Sequence, residues 1–144
     1  MSPLPVARAE QDAYDELCGY TLTHGDPAFV HQHVVDAWAV QLADAATKPI
    51  ALTFGVVGLY LHLERGFTGR EVQLAHIAMA RRKHTWPPFV LPANRGAMDA
   101  RQVMAVPAGP ERDRAIDAWC AAVWGAFAGN RPAVVALLQE HGIV

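Results

Sequence analysis

From Ile50 to Leu63 the chain reads Ile-Ala-Leu-Thr-Phe-Gly-Val-Val-Gly-Leu-Tyr-Leu-His-Leu, fourteen positions without a charge. Wound as a helix, such a run is apolar on every side, which predicts a helix enclosed by others rather than one lying on a surface. It is too long for an ordinary strand and too short for a bilayer span, which takes about 20 residues. Pro49 suits a first helical turn. Glu64-Arg65-Gly66 ends the run with charge and then a C-cap glycine. Gly55 and Gly58 leave one flank where a neighbouring helix can come close. A central helix over about 49–65 follows, with the rest of the chain wrapped around it.

The flanking segments alternate apolar stripes with stop signals. Residues 1–9 hold two prolines and no periodic pattern, and read as an arm; residues 10–144 read as one domain. A short helix is expected from Gln11 to about Tyr20, with Tyr14, Leu17 and Cys18 inward, then a loop Thr21–Gly25 carrying His24. Asp26-Pro27 reads as an N-cap followed by proline at the first helical position. The helix it opens should run to about Ala46, with Phe29, Val30, Val34, Ala37, Trp38 and Val40 as its apolar stripe. After the central helix, Thr68 and Glu71 have the spacing of a capping box, and that helix should reach about His84 with Arg81-Arg82-Lys83 in its last turn.

Trp86-Pro87-Pro88 stops it. Residues 85–97 become an irregular crossing segment whose Trp86, Phe89, Val90 and Leu91 pack on the bundle. Asp99 with Gln102 opens a short helix to about Ala105. Ile116, Trp119, Cys120, Val123, Trp124 and Phe127 make the clearest stripe, on a helix from Glu111 to Ala128. Gly129 is its expected C-cap, and Asn130 the N-cap of a last helix over 131–141 that turns Val134, Leu137 and Leu138 inward. The sum is an all-α, compact helical bundle of about four long helices and two or three short ones.

Composition narrows the function. At 144 residues, 52% hydrophobic and 18% charged, the chain is an ordinary globular protein. A net charge of −2 gives no basic surface for a phosphate backbone, so nucleic acid is not an expected partner. No stretch reads as a membrane span, and Met1–Val6 has neither the basic nor the apolar region of a signal peptide, so a cytoplasmic location is expected. Cys18 and Cys120 are far apart and form no C-x-x-C, which suits buried thiols. The remaining partners are a small-molecule substrate or a second copy of the chain, the latter through the stripe of Trp119, Trp124 and Phe127.

Seven histidines are many for this length. His31, His84 and His141 sit towards the ends of elements. His33, His62 and His76 fall on three successive helices, and Asp36 lies three residues after His33, within reach on a helix. One reading is a divalent metal (zinc, iron, nickel or manganese) held by His33, Asp36, His62 and His76, serving a small-molecule hydrolase or lyase. Another is a metal-free general base, His33 oriented by Asp36, in a pocket lined by Tyr14, Trp38, Gln41 and Tyr60. The third makes His33–Asp36 a buried polar clip in a non-catalytic binding or assembly protein. There is no H-E-x-x-H, E-x-x-H or C-x-x-C to choose among them.

The run His33-Val34-Val35-Asp36-Ala37-Trp38-Ala39-Val40-Gln41, with Leu63-Glu64 closing the next helix, resembles the signature of a family of small bacterial helical proteins of unknown function, roughly His-x-x-Asp-Ala-(Tyr/Trp)-x-x-Gln. Gly69–His76 and Asp117-Ala118-Trp119-Cys120 look like a closer branch of it. The resemblance implies a helical bundle and marks His33, Asp36 and Gln41. Many members carry a C-x-x-C near the N-terminus, where this chain has only Cys18-Gly19. It brings no activity with it.

Overall fold

The structure, a computed structural model, describes residues 4–23, 26–82 and 85–143. The expected position of His24, the helix end at Lys83-His84 and the first three residues of the arm lie outside them. The elements are α1 (Leu4–Leu22), α2 (His31–Gln41), α3 (Pro49–Arg65), α4 (Gly69–Ala80), α5 (Ala100–Met104), α6 (Pro110–Phe127), a 3-10 turn (Ala128–Asn130) and α7 (Arg131–Glu140), with no strand among the described residues. The chain is an all-α bundle.

α3 is the central helix. Pro49 opens it, Gly66 closes it in the left-handed conformation, and every residue from Leu52 to Leu61 except Phe54 is buried. α2 packs antiparallel on it. The pairing runs His33 on His62, Asp36 on Gly58 and Val40 on Gly55. A Cβ at Gly55 would stand 2.6 Å from Val40 Cγ2, so glycine is what lets the two backbones approach. α6 packs against both α2 and α3, with Ile116, Trp119, Cys120, Val123 and Phe127 in the core. By length and composition alone, the helical stretch Pro110–Glu140 is long and apolar enough to cross a membrane; in this fold its stripe is spent on the bundle.

Four boundaries differ from the expectation, one of them at α4, which ends at Ala80 with Arg81 as its C-cap and Arg82 beyond it, so that neither arginine sits in its last turn. The first helix begins at Leu4, not Gln11, so the described part of the arm is helical. α2 begins at His31 and ends at Gln41, inside the expected 26–46. Asp26 does cap, but it caps a turn: its carboxylate accepts the Ala28 N–H at 2.9 Å and the Val30 N–H at 3.3 Å. Phe29 then adopts φ 58°, a left-handed position uncommon outside glycine, and breaks the helix before it can start. The Ala28 carbonyl accepts the Arg70 N–H at 3.0 Å, which bolts this turn to the start of α4. At the other end, a turn closed by Asp44 and Thr47 replaces the last helical residues.

Both capping boxes form as expected, Thr68 with Glu71 and Asp99 with Gln102. Asn130 does not cap α7 with its side chain. Its amide instead reaches the crossing segment, accepting the Val90 N–H at 2.7 Å and donating to the Val90 carbonyl at 2.9 Å and the Phe127 carbonyl at 3.2 Å. Val90 itself points outward, 71% exposed, while Trp86, Phe89 and Leu91 pack inward as expected. Asn130→Ala should therefore cost roughly 2 kcal/mol, because it strands buried backbone groups as well as losing bonds. Limited proteolysis would show faster cleavage within residues 85–98; an unchanged digestion rate would sink this account.

Candidate functional site

The interior of α2 carries two buried polar side chains, His33 and Asp36, each 3% exposed. They do not bond to one another as the sequence spacing suggests. Asp36 Oδ1 accepts from Gln32 Nε2 at 3.0 Å, one turn back on the same helix. Its other oxygen, Oδ2, lies against Gly58 and has no hydrogen-bond partner among the described residues. Burial holds the Asp36 carboxyl well above its ordinary range, and the Gln32 bond only partly opposes this. Burial thus favours the protonated acid at Asp36 over the carboxylate expected beside His33.

His33 finds a different neighbour. Its ring stacks on His62 of α3, centroids 3.5 Å apart and planes 16° apart. His62 uses both ring nitrogens. Nδ1 meets the Phe67 carbonyl at 3.1 Å and Nε2 meets Asp117 Oδ1 at 2.9 Å. Both partners are acceptors, so a ring with hydrogen on each nitrogen satisfies both contacts and the imidazolium is favoured. Burial pulls His62 down, but the Asp117 and Phe67 bonds outweigh it and leave its pKa raised. The His62 bond in turn holds Asp117, 62% exposed and on the α6 face nearest α3, below the usual carboxylate range. On His33, burial and then the charge of His62 lower the pKa to about 4, against upward pulls from Asp117 and Asp26. At neutral pH His33 is uncharged, and its Nδ1 is buried without a partner among the described residues. Cys120, also buried, donates its Sγ to the His33 carbonyl at 3.6 Å.

The other expected site residues lie elsewhere. His76 donates Nε2 to the Phe54 carbonyl at 2.8 Å and stacks on the Phe54 ring, apart from the His33–His62 pair. Gln41 is a joint: it donates to the Arg95 and Met98 carbonyls at 3.2 and 2.7 Å and accepts from Trp119 Nε1 at 3.0 Å. Tyr14 and Trp38 stack on each other at 4.3 Å. Tyr60 packs edge-on to Trp124. The four residues expected to bind metal therefore do not converge, and among the described residues no group of three or more His, Cys, Asp or Glu is arranged to hold an ion.

Sequence reasoning missed Asp117, which lies 55 residues from His62 and so leaves no spacing signal. Its hints were position, a lone carboxylate beside the α6 stripe between Ile116 and Trp119, and its place in the Asp117-Ala118-Trp119-Cys120 run that resembles the family pattern. An opening of about 40 Å³, lined by Tyr20, Thr21, Asp26, Val30 and Asp113, lies between the end of α1, the turn before α2 and the first turn of α6.

The family of unknown function DUF5946 matches residues 7–128, which contain every residue of this cluster. The chain belongs to that family. The match stops before α7. No curated protein matches the chain, and no solved structure matches it.

Proposed function

We propose that this DUF5946 chain is a metal-free acid–base catalyst for a small polar molecule, with His33 as its base. The observation that carries the reading is a buried, neutral imidazole with an unpartnered nitrogen, stacked on a second imidazole that is fixed as a cation. General-base chemistry needs a basic nitrogen kept unprotonated at working pH, and a buried site supplies it. A small opening beside the turn before α2 has room for a water molecule or two. Its rim carries Asp26 and Asp113, so a neutral or cationic substrate is favoured over an anionic one.

The divalent-metal reading competes for the same residues, and one preparation decides between them. Untagged protein purified without chelator is assayed for metal by elemental mass spectrometry and for hydrolysis of p-nitrophenyl acetate, beside His33→Gln. Metal-free protein with hydrolysis above buffer, lost in His33→Gln at unchanged helicity, is the expected result. Near-stoichiometric metal that disappears with His33, or identical rates in the two proteins, would overturn the proposal. The rate should also persist in mild acid, falling by half only near pH 4, where His33 takes its proton, rather than near 6.5.

A further inference from the structure

We propose that His62 is the positioning residue of this site: fixed as a cation by Asp117 and the Phe67 carbonyl, it lies face-on against His33 and keeps a proton off it. The two rings are at van der Waals contact, so a proton on His33 would place two like charges face to face inside the bundle. The arrangement is one-sided. His62 has an acceptor at each nitrogen, and Asp117 carries its charge to the surface. His33 has no partner at Nδ1 among the described residues. When one proton must be excluded from the pair, it is therefore the His33 proton.

The charged and titratable groups facing His33 are few. α3 contributes His62, α6 contributes Asp117 and the buried thiol Cys120, the turn before α2 contributes Asp26, and α2 itself contributes Asp36. Burial favours the uncharged forms of Asp36 and Cys120, and neither is among the groups that shift His33. Asp26 and Asp117 favour a proton on His33, while burial and His62 oppose it. Asp117 acts mainly through His62, whose Nε2 it holds at 2.9 Å. Each link crosses an element boundary, so the device depends on the packed bundle.

This inference builds on the reading of His33 as the base, but its test needs no substrate. Histidine ring signals are followed by NMR from pH 3 to 9 in the wild type, His62→Phe, His62→Gln and Asp117→Asn. His62→Phe keeps a flat ring against His33 and removes the charge; His62→Gln covers the case in which the phenyl ring disturbs packing. In both, the proton affinity of His33 should rise about tenfold or more, the usual size of a like-charge effect at contact. In Asp117→Asn, His62 should lose its proton at lower pH than in the wild type. An unchanged His33 titration in both His62 variants would refute the positioning role while leaving the base reading intact. A His33 that titrates as expected but contributes nothing to p-nitrophenyl acetate hydrolysis would refute the base and keep the electrostatic pairing.

Discussion

Gly58→Ala should be among the most damaging single methyl additions in this protein, lowering unfolding free energy by about 2 kcal/mol or more. In an exposed helix the same change would stabilise by about 1 kcal/mol, since alanine is the better helix former. Here the added Cβ collides with Asp36 Oδ2, stands 2.7 Å from Asp36 Cγ and 3.2 Å from Val72 Cγ1. The carboxyl cannot swing away cheaply, because Gln32 holds its other oxygen and the side chain is enclosed. Overpacking of this kind costs about 1–3 kcal/mol or more through strain and backbone shift, and it must first cancel the propensity gain. The decisive comparison is a double-mutant cycle with Asp36→Ala, read from urea midpoints. Truncating Asp36 opens the space, so Gly58→Ala should become nearly neutral or stabilising in that background, a coupling well above the scatter for independent sites. Additive effects would mean that the two side chains do not share the space.

The second large effect is on pH dependence. Asp36 has a raised pKa in the folded chain. Its stabilising contribution is therefore complete below the unfolded value of about 3.9 and is lost as pH rises towards the folded value, because the unfolded chain releases a proton that the folded one keeps. The slope for one such group is about 1.4 kcal/mol per pH unit. His62, also raised, adds a loss of the same sign above about 6.5. His33 works oppositely. Its folded value is lowered to about 4, so its contribution is present above about 6.5 and disappears as pH falls from there towards 4. From pH 4 upwards the slopes of His33 and Asp36 oppose one another, and above 6.5 His62 adds only a loss. Asp36→Asn removes the Asp36 slope. Measured by urea unfolding at pH 5, 6, 7 and 8, the variant should gain on the wild type by up to about 1.4 kcal/mol per unit, until Asp36 gives up its proton. Parallel curves would show that Asp36 is ionised in the folded chain.

These predictions also mark where the sequence was readable. The central helix, its proline start and glycine stop, both capping boxes and the α6 stripe depend on residues within a turn of one another, and each formed where its local signal lay. Gly55 and Gly58 announced a close helix approach, and α2 fills it. Asp26-Pro27 misled because an aspartate side chain can satisfy the N–H groups of a turn as well as those of a helix. The deciding contacts, Ala28 and Phe29 on the start of α4, come from 40 residues away.

The site was legible in its members but not in its bonds. His33, Asp36 and His62 stood out as polar residues in apolar runs, and helical spacing put Asp36 within reach of His33. Tertiary packing decided otherwise. Antiparallel α2 and α3 at glycine distance set His33 against His62 and Asp36 against Gly58, and α6 brought Asp117 to His62. The sequence by itself determined the helices, their capping boxes and which faces are apolar, because these follow from interactions that span three or four residues. Only the tertiary structure decided which buried polar groups meet, and hence which are charged, since a proton's affinity depends on burial and on neighbours contributed by other helices.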